Sequence, residues 1–557
     1  MDLLLGKEWP TATRLTTGRN PVSIRVVARH PHEVPLGSRR MQESPRSAEQ
    51  PAGDKPAAHD APAVRPALAW SIMLALGLAI WVSSLLFQQP DGTVPPWGWR
   101  LLAVFVPTIL GLMLRPLPGG AVVLLAVAIT IAVDALPPAP ADLPDSRRDA
   151  WPYEKALGGY ADYSVWLVLA AYFLARGLIK TGLARRIALL FVRRLGRSTL
   201  GLSYAIVASD TILAGMIPSN AARVGGVALP VTRSLAELYK SYPGRTAGML
   251  GTFLMLTLYQ ADVIACALFF TGQASNPLAA SQAAQLTQNA PGGPVQLHYA
   301  NWFLYALAPA LVSLAVVPWL IYRLCRPEIT HTPEATELAR RELDTLGPTS
   351  FGERVMAMVF AGVCLGWIVT GFVFGSRYTT LVALAGAGVL FLSGVLTWED
   401  AVTERGAWDV FLWYGGLVQL GKLLNEAHVI KLFADSTASG LSFLNLALLF
   451  VLVLLIYFYA HYGFASITVH IVSMYPAFVG VLLRSGADPW LVTCVFAYFA
   501  NLSAGLTHYG TTHAPIIFGT GYVSQREWWR IGFIISLVNV FIWLAVGLPW
   551  WKLWGLW

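Results

Sequence analysis

Two short polar strings interrupt apolar stretches at corresponding places in the two halves of the chain. They are GMIPSNAARVGG (215–226) and YAHYGFASITVH (459–470). The first places Ser219 and Asn220 after a proline, and the second contains Ser466 and Thr468. Hydroxyl and amide groups can bind a carboxylate without bringing a permanent charge into lipid. One such string could simply satisfy its own backbone at a tight turn, but two of them favour an anion-binding site.

Charged and titratable residues lie close to both strings. Arg223 follows the first by one helical turn, where it could pair with a carboxylate substrate or reach the lipid headgroups. Four of the ten histidines fall near the second string, and their partial protonation would attract anions: His461, His470, His508 and His513. Of these, His508 is a candidate substrate contact. Asp210 and Asp262 lie inside apolar segments and could relay protons or pack against Arg223.

Membrane-spanning helices must position these residues. Of the 557 residues, 55% are hydrophobic and 13% are charged, and the mean hydropathy is +0.56. Apolar runs of about 18 residues or more recur, and each can cross a hydrocarbon layer about 30 Å thick as a helix. The runs do not alternate at period two, which excludes a porin-type barrel. The sequence predicts an all-α polytopic membrane protein with about 11 transmembrane helices.

The composition argues against several other classes of protein. The net charge of +8 comes from Lys and Arg between apolar runs, so it indicates orientation in the membrane rather than nucleic-acid binding. The cysteines lack CxxC spacing and the histidines lack nearby carboxylate ligands, so neither a disulfide framework nor a metal site is expected. No P-loop, nucleotide fingerprint or catalytic triad appears, which argues against an ATP-driven pump or an enzyme and predicts no cofactor.

The chain divides into a tail, two membrane halves and a linker. Residues 1–66 are rich in Arg, Pro, Ser and Ala, which is typical of a disordered cytoplasmic tail, and their acidic residues argue against a plastid transit peptide. The halves are 67–325 and 354–557, and the cytoplasmic linker is 326–353. Two regions too broken for simple spans are predicted as re-entrant hairpins: 201–239 and 441–485. The other spans are predicted at 68–87, 98–115, 118–136, 163–180, 246–270, 300–325, 354–374, 378–396, 408–425, 489–520 (interrupted) and 530–550.

The two halves repeat one order of elements at an offset of about 245 residues, a pattern typical of secondary transporters. SVWLVLAAYFLARGLIKTGL (164–183) corresponds to DVFLWYGGLVQLGKLLNEAH (409–428), and a hairpin and a broken span follow in each half. Basic residues are abundant after the first of these segments and scarce after the second, which predicts an inverted topology. An internal tail followed by eleven crossings predicts a cytoplasmic N-terminus and an external C-terminus, and the expected location is a bacterial inner membrane. Substrates of such proteins bind at the breaks near the midplane.

Four strings occur in the order found in the divalent anion:sodium symporter family. They are PSNAARVGGVALPV (218–231), FFTGQASNPLA (269–279), HYGFASITVH (461–470) and NLSAGLTHYGTTHAPIIFGTGYV (501–523). Over about residues 68–557 the chain resembles the anion-exchanger branch, which includes citrate/succinate and tartrate/succinate antiporters and the plastid 2-oxoglutarate/malate translocator. The resemblance implies a homodimer with an elevator mechanism. It also implies that paired motifs bind substrate carboxylates, at positions Ser219, Asn220, Ala221, Thr271, Asn276, Ser466, Thr468, Thr511 and Thr512.

The chain departs from the family pattern at three places. Ala221 stands where the family usually has Thr, and Thr512 and His513 replace the Gly-Pro common in exchangers. Ile467 stands where sodium-coupled members have Asn, which weakens the pattern for a sodium site. Arg223 and the histidines would then supply the positive charge that sodium brings in a symporter.

The predicted function is an obligate exchange of di- or tricarboxylates across a lipid bilayer, of the succinate, malate, 2-oxoglutarate, citrate and tartrate class. Moving such an anion through a low-dielectric barrier requires its charge to be compensated. A sodium- or proton-coupled carboxylate symporter is the nearest alternative, and only there would sodium be expected. A membrane-embedded carboxylate sensor is the alternative of another class.

Overall fold

Helices form nearly all the regular structure of the described residues. The computed structural model describes residues 65–86 and 94–557, so the predicted tail, 1–66, lies outside the described residues except for its last two. Within those ranges, β structure is limited to one isolated bridge between Ser198 and His331. The prediction of an all-α fold is confirmed.

The N-terminal half contains helices whose ends are set largely by proline and glycine. They are α1 (Pro66–Leu86), α2 (Pro96–Leu114), α3 (Gly119–Ala132), α4 (Asp145–Arg148), α5 (Trp151–Leu157), α6 (Tyr163–Lys180), α7 (Leu183–Leu195), α8 (Thr199–Ala214), α9 (Asn220–Arg223), α10 (Leu229–Leu238), α11 (Gly251–Leu268), α12 (Ser275–Leu286) and α13 (Tyr299–Cys325). At the end of α2, Arg115 takes a left-handed conformation with φ 52°, and Pro116 follows it. Since proline cannot donate the next helical hydrogen bond, the chain turns there.

The linker and the C-terminal half contain the remaining helices. They are α14 (Pro333–Leu346), α15 (Phe351–Phe374), α16 (Thr379–Leu392), α17 (Trp398–Thr403), α18 (Arg405–Glu426), α19 (Val429–Gly440), α20 (Leu446–Tyr459), α21 (Ile467–Arg484), α22 (Pro489–Ser503), α23 (Ala514–Phe518), α24 (Gln525–Ala545) and α25 (Gly547–Leu553). The linker is not a bare loop, because α14 packs on α7 and Glu342 pairs with Arg185.

The number of helices able to cross a membrane is close to the prediction. Ten stretches in the described part of the chain are long and apolar enough, and one of them, Phe351–Leu392, comprises both α15 and α16. The predicted span 118–136 corresponds to α3, which has only 14 residues. The predicted span 408–425 lies within α18, whose Arg405, Asp409, Lys422 and Glu426 lower its apolar character.

The most buried helix lies at the centre of the protein, and apolar side chains cover its outside. All 18 residues of α11 are buried. In contrast, Leu74 of α1, Phe372 of α15 and Leu392 of α16 are 67%, 63% and 91% exposed. An apolar outer surface of this kind is stable only when hydrocarbon covers it. The protein therefore presents lipid-facing helices around a packed interior.

The order of elements from α6 to α12 matches the order from α18 to α23. In each half two helical arms surround a non-helical tip, with residues 215–219 between α8 and α9, and residues 464–466 between a 3₁₀ turn and α21. The helix that follows each tip begins with a serine N-cap, Ser219 or Ser466. This shared order agrees with the repeat found in the sequence. That the arms of each hairpin return to one membrane face stays a prediction.

Candidate functional site

Both hairpin tips line one cavity of about 380 Å³. Seven of the residues predicted to bind substrate lie in its lining: Ser219, Asn220, Ala221, Ser466, Thr468, Thr511 and Thr512. The volume falls within the usual range for small-molecule sites, about 300–1,000 Å³. Residues more than 240 positions apart in sequence are thus brought together, as the repeat predicts.

The first tip is held in place from within and from the other half. The Ser219 hydroxyl accepts a hydrogen bond from the Ala222 amide at 3.2 Å, which caps α9. The Oδ1 atom of Asn220 accepts from the Thr512 hydroxyl at 3.1 Å and from the amide of the next residue at 3.0 Å. Its Nδ2 has no hydrogen-bond partner among the residues that the structure describes, so this donor is available to a ligand.

The second tip presents the same chemistry from the opposite half. The Ser466 hydroxyl lies 3.5 Å from the Val469 amide and caps the N-terminus of α21. Thr468 lies in the first turn of that helix. Within the described residues its hydroxyl makes no hydrogen bond, so it can donate to a ligand. Helix N-termini carry unsatisfied N–H groups and a partial positive charge, so two of them facing one cavity favour an anion.

Three predicted site residues lie outside the cavity lining and have structural partners instead. Thr271 donates to the Gly215 carbonyl at 2.7 Å, and Asn276 donates to the Cys266 carbonyl at 2.8 Å. These bonds satisfy backbone carbonyl groups beside the break between α11 and α12, where helical hydrogen bonding is interrupted. His508 accepts a hydrogen bond from the Trp529 indole at 3.0 Å. These contacts occupy the three side chains in this structure, and their role in binding substrate stays a prediction.

Arg223 is also outside the cavity lining, and it does not reach the headgroups. Its side chain is fully buried. Each of its five N–H donors has an acceptor. The acceptors are the carboxylates of Asp210 and Asp262, the backbone carbonyls of Ile217 and Gly272, and the sulfur of Cys266. In this structure the guanidinium has no donor left for a ligand, and a direct contact between Arg223 and substrate stays a prediction.

A buried charged network therefore connects the first tip to the second broken span. Arg223 pairs with Asp210 of α8 at 3.0 Å and with Asp262 of α11. The Nε2 atom of His513, at the second break, lies 2.8 Å from the other oxygen of Asp262. The Nδ1 atom of His513 lies 3.0 Å from the hydroxyl of Thr511, which lines the cavity. The first tip is thus connected to the other half of the chain by a continuous set of hydrogen bonds and ion pairs.

Several residues that line the cavity are not predicted from the sequence repeat. Three are charged and four are polar or aromatic: Arg115, Glu404, Asp409, Tyr172, Gln273, Ser275 and Trp413. Arg115 comes from the end of α2, a helix outside the repeats, and it donates to the Ala465 carbonyl at the second tip at 3.2 Å. Asp409 accepts a hydrogen bond from the Gly120 amide at 3.0 Å. The sequence signal that could have identified Arg115 as a site residue is its position at the end of a membrane span, directly before a proline.

Glu404 lies on the cavity wall, and its negative charge opposes the binding of an anion. Burial raises the pKa of its carboxyl, an effect that Arg176, 4.0 Å away, partly offsets. We expect Glu404→Gln to increase the affinity for a dicarboxylate about threefold at low salt, and less at high salt, because it removes a like charge. Binding measured by calorimetry at two ionic strengths checks this expectation.

The matched control for that variant is Glu426→Gln. Glu426 pairs with Lys155 at 3.0 Å and does not line the cavity, so its replacement should leave the affinity unchanged. If Glu404→Gln bound dicarboxylates no better than the wild type at low salt, Glu404 would not face the bound anion.

Sequence comparisons with known proteins cover the membrane part of the chain. A family model for the sodium:sulfate symporter transmembrane region matches residues 68–557. The putative malate transporter YflS of Bacillus subtilis is 39% identical over 490 residues, which cover 87% of this chain and 96% of that protein. The chloroplastic dicarboxylate transporter 1 of Arabidopsis thaliana is 37% identical over 544 residues, 96% of this chain and 91% of that one. Among solved structures, the Alcanivorax borkumensis YdaH transporter is similar, with a TM-score of 0.49 and 15% identity over 78% of this chain and 98% of that one.

Proposed function

We propose that this chain, which belongs to the sodium:sulfate symporter family (also called the divalent anion:sodium symporters), exchanges one di- or tricarboxylate for another across a bacterial inner membrane. It is a multi-pass membrane transporter rather than an enzyme. We also propose that it works as a homodimer by an elevator mechanism, with its N-terminus in the cytoplasm and its C-terminus outside.

The observation that carries the proposal is the meeting of two N-capped tips at one cavity. A dicarboxylate has two negative ends, and the cavity offers a separate set of neutral donors for each. Asn220 belongs to one set and Thr468 to the other, and both have donors without protein partners in the described part of the chain. The names of the two relatives, putative malate transporter and dicarboxylate transporter 1, support the same class of substrate.

Exchange without sodium is supported by side chains that form hydrogen bonds with backbone carbonyls at the breaks. Arg223 donates to the carbonyls of Ile217 and Gly272 at 3.0 Å, in the first tip and the first broken span. In the second half, His461 lies 2.9 Å from the Gly510 carbonyl. Carbonyl oxygens are typical sodium ligands at unwound helices. Since these oxygens already have hydrogen-bond partners, they are less suited to hold sodium, which supports the proposal that the protein itself compensates the charge of the transported anion.

The proposal is tested in proteoliposomes loaded with unlabelled succinate. We expect uptake of labelled dicarboxylate only when the lumen contains a dicarboxylate, and the same rate when external sodium is replaced by choline. Uptake that requires sodium and proceeds into empty vesicles would instead establish a symporter. Specific binding without any transport would favour a sensor.

A further inference from the structure

Two buried histidines form a contact behind the second tip that the proposed carboxylate site does not use. His461 lies in the 3₁₀ turn before the tip, and His470 lies in the first turn of α21. Both side chains are fully buried. Their Nδ1 atoms are 3.0 Å apart. Each ring places its Nε2 atom on a backbone carbonyl, at 2.9 Å from Gly510 for His461 and at 3.0 Å from Tyr457 for His470.

The number of protons needed by these contacts exceeds the number that two neutral imidazoles carry. A carbonyl oxygen only accepts, so both Nε2 atoms must be protonated. The contact between the two Nδ1 atoms requires a third proton, because two lone pairs 3.0 Å apart would repel each other. Two neutral rings have only two N–H protons between them. One additional proton is therefore needed for all three contacts to be hydrogen bonds.

Other ring orientations would avoid the third proton only by giving up hydrogen bonds that the observed orientation makes. Turning either ring over would put carbon atoms where the two nitrogens now meet their partners, and it would leave a buried carbonyl without its donor. Aromatic neighbours hold the observed orientation. The Tyr457 ring stacks on His470 with 4.4 Å between centroids, and the Phe464 ring lies 5.1 Å from it.

The titratable groups that face the pair are few. Tyr457 of α20 is in direct contact, and within the described ranges neither histidine forms an ion pair with a carboxylate. Among the helices packed against α21, α12 has no ionisable side chain. Asp435 of α19 pairs instead with Arg484 at the far end of α21, and His513 at the break contacts Thr511 and Asp262.

The remaining neighbours do not supply a negative charge either. Arg115, after α2, donates to the Ala465 carbonyl at the tip. The α22 helix contributes Cys494 and Tyr498, and the Tyr498 hydroxyl donates to the Trp302 carbonyl at 3.0 Å. The proton count therefore gives the pair one positive charge close to the cavity, and among the described residues no carboxylate forms an ion pair with it.

We propose that His461 and His470 share one bound proton, and that this imidazole–imidazolium pair is a proton-binding site behind the carboxylate cavity. The pair is next to the cavity wall on both sides, since Val469 precedes His470 and Thr511 follows Gly510. Its single positive charge strengthens the binding of an anion at the second tip. The hydrogen bond to Gly510 also holds the turn before the tip against the second broken span. The role in anion binding rests on the proposed function, whereas the proton site does not.

Nitrogen-15 NMR of histidine-labelled protein in lipid nanodiscs at pH 7 tests the site directly. We expect a scalar coupling between two histidine Nδ1 nuclei through the shared proton. His461→Gln keeps a donor for the Gly510 carbonyl but removes the second ring, so the coupling should be lost. His331→Gln, in the exposed linker, is the matched control and should keep it. No coupling in the folded wild-type protein would overturn the proposal, and so would a coupling that persists in His461→Gln.

Dicarboxylate binding to the same proteins tests the contribution of the charge. His461→Gln should bind succinate about tenfold more weakly than the wild type, and His331→Gln should bind it equally well. An unchanged affinity in His461→Gln would overturn the role in anion binding. If the coupling is present but the wild-type protein binds no dicarboxylate, the proposed function fails and the proton site stands.

Discussion

Replacing Asn220 by alanine is expected to reduce carboxylate exchange strongly at low substrate concentration. The variant loses the Nδ2 donor that faces the ligand, and it loses the bond by which Thr512 holds the first tip to the other half at 3.1 Å. A hydrogen bond to a charged group contributes about 1.5–3 kcal/mol, which is about 10- to 100-fold in affinity. Exchange of labelled succinate in proteoliposomes measures the effect.

Asn425→Ala is the matched control for this variant. Asn425 lies near the end of α18 and bonds to the Gln285 carbonyl at 3.4 Å, away from the cavity. We expect exchange by this variant to equal that of the wild type. Unchanged transport by Asn220→Ala, with the protein folded and inserted to the same extent, would remove the first tip from the binding site.

Replacing Arg223 by glutamine is expected to cause a large loss of stability. The variant leaves Asp210 and Asp262 buried without their shared cation and leaves carbonyls at the first tip without donors. Removing one partner of a buried ion pair costs about 3–5 kcal/mol, because the remaining charge is not compensated. Unfolding by denaturant in mild detergent measures the change in the free energy of unfolding.

Two further variants separate the charge from the packing. Arg223→Gln combined with Asp262→Asn should recover part of the stability, because it removes one of the uncompensated carboxylates. Arg341→Gln, which breaks an exposed pair with Glu337, should cost no more than about 1 kcal/mol. If Arg223→Gln were as stable as the Arg341→Gln control, the buried network would not hold the tip.

The architecture and the two tips could be predicted from the sequence because their signals are local. Long apolar runs report on helices that cross a membrane, and a polar string within such a run reports on a break. Ser219 directly follows Pro218, and Ser466 follows a short non-helical stretch, and each begins the next helix as its N-cap. The repeat then indicates that the two tips act together, and the structure places both of them in the lining of one cavity.

The roles of individual charges could not be predicted, because they depend on contacts between distant segments. Arg223 meets Asp210, 13 residues before it, and Asp262, 39 residues after it, only once α8 and α11 have packed. The sequence cannot show that these partners take every donor of the guanidinium. Arg115 was missed for a related reason, since it reaches the second tip across 350 residues from a helix outside the repeats.

The histidines illustrate the same limit. Their clustering suggested an anion-attracting group near the second tip, but spacing alone does not distinguish their environments. His508 contacts an indole at 3.0 Å, whereas His461 and His470 contact each other. The difference depends on which residues of the second broken span and of α20 surround each ring.

A structure determined with succinate bound tests most directly whether the two tips jointly hold one dicarboxylate. We expect one carboxylate of the ligand within about 3 Å of Ser219 or Asn220, and the other within about 3 Å of Ser466 or Thr468. Succinate bound at another place, or held by one tip alone while the other remains without a contact, would contradict this arrangement.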